Sequence, residues 1–291
     1  MASEQGSTVP RRRLGRELRL LRESAQLTIE AVTQDLEWSR QKIWRIERGE
    51  FAMRVFDVEA MCKVYGAPEE LTEALKALAR ETKTKGWYHS YGDVIPRWFI
   101  IFIDLEETAT YIHEYSSELV PGLLQICEYA TAIMNTSVTL TPNEVRRLTE
   151  VRMMRQKLLE KDGVRHEWFL NEAVIRRPVG GRDVMAKQLK YLAEINARGN
   201  MSLRIIPFSA GEHSSMTPSF RVLEFPKNSE PTTVFVEVLT GDLYLDKEKE
   251  IEPYRRLLSS CNEMALSPAE TNDMLLAAAT ELSTDVAKRD R

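Results

Sequence analysis

Through residues 12–83 the apolar positions recur three and four apart, the period of helices that bury one stripe. Arg12–Ser24 and Thr28–Leu36 read as two such helices, and Ser39–Gly49 encloses a third. Arg54–Tyr65 carries Val55, Val58, Met61, Cys62 and Tyr65 on one face, and a helix from Pro68 to Lys83 carries Leu71, Leu75 and Leu78. Gly66 separates the last two, as expected where a helix ends in the left-handed conformation. Short helices packed this closely in sequence predict an all-α domain over residues 10–83. Glu50–Met53 reads as a loop, and Met1–Pro10, small and polar, is expected to stay outside the fold.

The pattern then changes. Residues 84–97 form a boundary, but Trp87, Tyr88 and Tyr91 make it an aromatic strap rather than a free linker. From 98 to 285, helical and alternating stretches are mixed. Trp98–Ile103 reads as core strand or helix, and Asp104–Tyr115 as a helix. Thr141-Pro142-Asn143-Glu144 is a capping box with Pro at the first helical position, opening a helix to Lys161. Short strands are expected at Arg165–Leu170, Leu203–Pro207, Ser219–Phe225, Thr233–Leu239 and Asp242–Leu245, with a helix at Val184–Ile195. Lys247–Met264 and a second capping box, Ser267–Glu270, close the chain with two helices. The expectation is a multidomain protein: an all-α domain followed by an α+β domain with a small, mostly antiparallel sheet.

The third helix carries the chemistry. Ser39 is a good N-cap and Gly49 a good terminator. Ile43 and Ile46 share one side, leaving Arg40, Gln41, Trp44, Arg45 and Arg48 on the remaining surface. A short helix with one apolar edge and a face of Arg and Gln fits a major groove, where Arg can be bidentate to guanine and Gln to adenine. With a three-residue turn separating it from Thr28–Leu36, the spacing is that of a helix-turn-helix.

Leu21-Arg22, Leu27-Thr28 and Ile43-Trp44-Arg45-Ile46-Glu47-Arg48-Gly49 resemble the repressor-type helix-turn-helix of the xenobiotic-response-element family, over Arg12 to about Leu78. The resemblance implies Arg40, Gln41 and Arg45 as base readers of double-stranded DNA, with Lys42 as a base or phosphate contact. It further implies phosphate contacts at Thr28, Ser39, Arg48 and Arg54, and an ion pair between Arg22 and Glu47 that locks the first helix onto the third. Glu37 departs from the family, which usually places Gly in this turn. A non-Gly residue at positive φ costs on the order of 1 kcal/mol.

Composition narrows the setting. The 291 residues carry a formal net charge of −4, against a protein that coats nucleic acid unspecifically. Residues 1–85 hold 16 Lys/Arg against 14 Asp/Glu, leaving 24 against 30 for the remainder, so a basic reader sits on an acidic body. Cys62, Cys127 and Cys261 lack metal or disulfide spacing and read as small buried hydrophobes in a reducing cytoplasm. The apolar runs are far shorter than a signal peptide or membrane span needs. Arg11-Arg12-Arg13 reads as a solvated charge run or a minor-groove arm.

The body also resembles a family. Glu118–Gln125, Arg152–Gln156, Asn171–Gly181 and Ala265–Pro268 are similar to segments of antitoxin-like regulators of filamentous high-GC bacteria. That resemblance implies a small partner protein and transfers no chemistry. The aromatic strap (Trp87, Tyr88, Tyr91) and the turn holding Pro121, Gly122, Leu123, Leu124 and Gln125 form the candidate surface for a partner or ligand.

His113 beside Glu114 lacks a second ligand at HExxH spacing, and His166 beside Glu167 alternates across a strand. Gly211–Ser215, with Glu212 and His213, reads as a polar turn, although a DNA-tethered hydrolase using those two is the alternative from another class. A scaffold whose body only binds protein is a third. The reading is a cytoplasmic, homodimeric regulator bound to a DNA operator, non-enzymatic, with no cofactor and no metal; the dimer follows from how few base pairs one short helix reads.

Overall fold

The computed structural model describes residues 8–49, 53–81, 87–198, 201–227, 229–238 and 241–289. The expectations for Met1–Ser7, for most of the Glu50–Met53 loop and for Lys83–Gly86 lie outside those residues. Contacts divide the chain into two units, Met1–Thr108 and Ala109–Arg291.

The first unit is all-helical: α1 Thr8–Ser24, α2 Ile29–Leu36, α3 Arg40–Glu47, α4 Val55–Tyr65, α5 Glu69–Glu81 and α6 Arg97–Thr108. Leu14, Leu18, Val32, Ile43, Ile46, Val58, Met61 and Cys62 form its core. The first helix starts earlier than its apolar pattern does, so the backbone of Thr8–Pro10 is helical rather than loose. Arg11 corrects the reading of the charge run. It is 4% exposed, and lost hydration pulls its guanidinium below its usual pKa, against the opposing field of Asp104. The strap belongs to this unit too. Tyr88 is fully buried, its hydroxyl donating to Asp104, and Trp87 Nε1 donates to Glu107 at 2.5 Å.

Two glycines set how closely the helices approach. A Cβ on Gly15 of α1 would lie 2.4 Å from the Ile46 carbonyl oxygen, and one on Gly49 2.6 Å from the Arg12 Cα. Gly49 has φ +69° besides, so it both ends α3 and lets α1 cross its terminus.

The second unit is built on a six-stranded sheet in the order β3-β2-β1-β4-β5-β6. Its elements are β1 Tyr111–Ser116, α7 Cys127–Met134, α8 Pro142–Arg155, β2 Arg165–Asn171, α9 Ala173–Arg176 and α10 Arg182–Asn196. They continue with β3 Met201–Ile206, β4 Phe220–Glu224, β5 Thr233–Val238, β6 Gly241–Leu245, α11 Glu248–Met264 and α12 Pro268–Arg289. The expectation of a small, mostly antiparallel sheet needs correction, because the sheet is mixed. β1 pairs β2, and β2 pairs β3, both parallel. β1–β4, β4–β5 and β5–β6 are antiparallel. Parallel neighbours need long crossovers, and the α7–α8 and α9–α10 segments supply them.

The strand that sequence reasoning lost is the central one. Asp104–Tyr115 does not continue as a helix: α6 ends at Thr108 and β1 begins at Tyr111. Tyr111-Ile112-His113-Glu114-Tyr115 hides its character because two polar positions interrupt the apolar alternation. Each finds its partner across the sheet. Opposite His113 stands Glu167, with Nδ1 to Oε2 at 2.8 Å, and opposite Glu114 stands Arg221, at 2.8 Å.

Alternation along β2 builds two cores. Trp168 and Leu170 pack with Leu189, Leu192 and Leu275 on one side, while Phe169 joins Tyr115, Phe220 and Val234 on the other. Ser267 and Glu270 form the capping box expected before α12, with Ser267 N–H donating to Glu270 at 2.9 Å. Thr141 and Glu144 do the same for α8. Cys62 and Cys261 are buried as expected, whereas Cys127 is exposed at the start of α7. Among the described residues no helix is long and apolar enough to cross a membrane.

Candidate nucleic-acid interface

The third helix is fixed from both ends. Ser39 Oγ accepts from Lys42 N–H at 3.2 Å, and Thr28 Oγ1 accepts from Ala31 N–H at 3.2 Å to start α2. Both hydroxyls accept within the fold and keep their own proton for an outside acceptor such as a phosphate. Between the helices, Glu37 adopts φ 54°, ψ 32°, the left-handed conformation usually given to Gly in this turn. The strain expected from that substitution is thus present in the backbone.

Arg22 and Glu47 meet as a two-pronged pair, with Nε to Oε1 at 2.7 Å and Nη2 to Oε2 at 2.9 Å. Arg22 Nη1 also donates to the Leu27 carbonyl at 2.8 Å, tying α1 to the entry of α2. The Tyr65 hydroxyl adds a longer 3.5 Å bond to Glu47. Burial, and then the nearby Glu47 carboxylate, push the Tyr65 hydroxyl well above its ordinary pKa. This cluster stands behind α3 and aims it.

On the outer side, about 100° per residue spreads Arg40, Trp44, Arg48, Gln41 and Arg45 over an arc of roughly 140°. Arg40, Gln41, Trp44 and Arg48 are exposed and Arg45 half-buried. Arg40 Nε rests 3.2 Å from Glu30, with both side chains open to water, so that contact is weak and readily exchanged. The Arg48 guanidinium stacks 4.5 Å above the Trp44 ring.

Lys42 stands apart from the basic residues of the arc. It lies on the flank of the arc, its ammonium 3.3 Å from the Trp38 ring centre and 3.4 Å from Asp57. Asp57 also accepts from the Arg54 backbone N–H at 3.3 Å, so it holds Lys42 and caps α4 together. Arg54 itself is exposed at the α4 N-terminus. Trp44 is the residue that sequence reasoning left out of the site. Its signal was present: a large aromatic in the middle of a basic arc, 44% exposed.

The candidate partner surface is corrected by burial. Tyr88 lies inside the first unit. In the second, Pro121, Leu123, Leu124 and Gln125 are buried, and Gly122 is half-buried. These buried side chains pack within their own units, while Trp87 and Tyr91 are half-buried.

In the Gly211–Ser215 loop, Glu212 is exposed and His213 lies edge-on to Tyr115. Ser215 Oγ donates to the Leu257 carbonyl at 3.3 Å and accepts from the Cys261 thiol at 3.0 Å. No hydrogen bond joins His213 to this hydroxyl among the described residues. Nor do the described residues contain a His, Cys, Asp and Glu group fit to hold a metal.

Comparison with known proteins agrees with the two-part organisation. Residues 13–75 match a family described as helix-turn-helix domain. Neither the curated proteins nor the solved structures contain a match. A second match runs over residues 100–277, more than half the chain. The chain therefore carries a helix-turn-helix domain at its N-terminus and belongs to the family described as Domain of unknown function (DUF5753).

Proposed function

We propose that this protein is a sequence-specific transcriptional regulator that binds a double-stranded operator as a homodimer. Arg40, Gln41 and Arg45 read base edges, and Trp44 lies against thymine methyl groups or sugars between them. Thr28, Ser39, Arg48 and Arg54 hold phosphates, and Lys42 acts from the flank as a phosphate contact. The observation that carries the reading is the outward arc of Arg40, Gln41, Trp44, Arg45 and Arg48 on a helix whose other side is locked by Arg22–Glu47. Two-fold pairing follows from reach, since one such helix covers only about 4 base pairs and dimeric readers place half-sites ~34–36 Å apart. The C-terminal unit serves in an antitoxin-like role, docking a small partner protein in the cytoplasm, and is not an enzyme.

The test begins with selection of preferred sites from random duplex DNA, followed by titration of that site and a scrambled one across salt. Arg40→Ala and Arg45→Ala should each lose ~1–3 kcal/mol on the selected site and relax preference at one or two positions. Arg54→Ala should weaken both DNAs alike and flatten the salt slope. Equal losses on both DNAs for Arg40→Ala and Arg45→Ala would refute base reading by this helix. A footprint without two-fold symmetry would refute the homodimer.

A further inference from the structure

The sheet of the second unit has two edges, and they are finished differently. At β3, helices and their flanks take up the outward backbone groups. Leu203 N–H donates to Asn196 Oδ1 at 2.8 Å and Ile205 N–H to Thr271 Oγ1 at 3.2 Å, while the Ile205 carbonyl accepts from Leu266 N–H at 2.8 Å. At the other edge lies β6, the last strand of the order, and among the described residues no strand pairs with its outer side.

The direction of the β6 backbone follows from its pairing. Val238 and Gly241 face each other with only two residues between them. A connection that short is closed by a pair that exchanges its own hydrogen bonds, and opposed pairs alternate from there. Leu243 and Leu245 therefore bond inward to β5, and the backbone N–H and C=O of Asp242 and Tyr244 point out of the sheet. On the face that carries Val234 and Val236, Val238 is 44% exposed and Leu243 49%. β6 also holds neither Lys nor Pro, two residues that keep solitary edges from pairing.

A second copy of the same strand fits this edge. Two-fold antiparallel pairing sets residues of the same face opposite each other, so the axis passes through a residue position. Of the three central positions of β6, Asp242 would set its own carboxylates face to face, and Tyr244 would set Asp242 against Asp246. Like charges directly opposite are destabilising. Burial, and then Glu237 across the strand pair, already raise the pKa of the Asp242 carboxyl, which makes a further carboxylate there less favourable still. An axis at Leu243 avoids both clashes, because it sets Asp242 against Tyr244 and Leu243 against itself.

We propose that two copies of this chain join along their β6 edges, antiparallel about a two-fold axis at Leu243. Asp242 and Tyr244 then exchange backbone hydrogen bonds with Tyr244 and Asp242 of the second copy, and the two sheets become one. This inference rests on the homodimer proposed as the DNA-binding form and gives it an interface. The two Leu243 side chains cover each other in a non-hydrogen-bonded pair, whose Cα atoms lie about 4.5 Å apart, within disulfide reach.

The full-length protein would be followed by sedimentation equilibrium without DNA, and the expected result is a dimer. Leu243→Lys, at a half-exposed position, should fold and weaken that dimer at least tenfold. Leu243→Cys, in a Cys127→Ser background because Cys127 is exposed, should link two chains under mild oxidation, and Asp242→Cys should do so far less. The cysteine variants keep the test decisive if Leu243→Lys fails to fold. A chain that stays monomeric off DNA would overturn the proposal and leave the edge to a strand of another protein; a two-fold footprint would then still uphold a homodimer on the operator. A dimer left as tight by Leu243→Lys, or one in which Leu243→Cys links no better than Asp242→Cys, would also overturn it.

Discussion

Replacing either member of the Arg22–Glu47 pair should unlock α3 from α1. The geometry sets the size of the effect. Two charge-assisted bonds of 2.7 and 2.9 Å join side chains that are only 11% and 4% exposed. Stranding one partner of so buried a pair costs ~3–5 kcal/mol. The two single changes should differ. After Glu47→Leu, Arg22 keeps the Leu27 carbonyl and lies 3.8 Å from Glu23. After Arg22→Met, Glu47 keeps only the 3.5 Å bond from Tyr65, so this variant should be the weaker. The double variant replaces both charges with apolar groups and should recover part of the loss. Because the chain has two units, a global melt would mix two transitions. Amide exchange at Ile43 and Ile46, buried on α3, reports the first unit alone. A coupling energy below ~0.5 kcal/mol in that cycle would refute the lock and leave Arg22 and Glu47 as independent charges.

Other consequences can be checked more briefly. Gly15→Ala would force α1 away from α3 and should destabilise the first unit by ~1–3 kcal/mol; unchanged exchange at Ile43 would contradict the close approach. Asp57→Ala should free Lys42 while weakening the start of α4, raising affinity for any duplex while lowering stability, and a fall in affinity for scrambled DNA would count against it. At α12, the Ser267 hydroxyl, and then its backbone N–H, hold the Glu270 carboxyl below the usual carboxylate range. Since the folded value is the lower one, this cap contributes above the unfolded pKa of ~4.3 and is lost as pH falls through the folded value. Ser267→Ala should therefore loosen the first turn of α12 more at neutral pH than in strong acid, where only the bond from the Glu270 backbone N–H to the Ser267 hydroxyl is left to lose, as read by amide exchange at Thr271.

Much of the first unit was legible in sequence because its signals are local. Ser39 and Thr28 cap the helices they precede, Gly49 and Gly66 end the ones they follow, and the 3.6-residue period names the buried face. Position around α3 likewise follows from spacing alone, which is why Arg40, Gln41 and Arg45 could be placed on its outer side from the sequence. Lys42 shows the limit: its ammonium is turned by Asp57, fifteen residues away on another helix. In the second unit the capping boxes and most strands were visible, but β1 was not. Its polar His113 and Glu114 become tolerable in a central strand only once Glu167 and Arg221 stand opposite them, more than fifty and a hundred residues later. The mixed sheet turns on that strand, since β1 is where the parallel pairs meet the antiparallel ones. Arg152 and Arg221, on α8 and β4, are likewise brought within reach of one another's charge only by the fold.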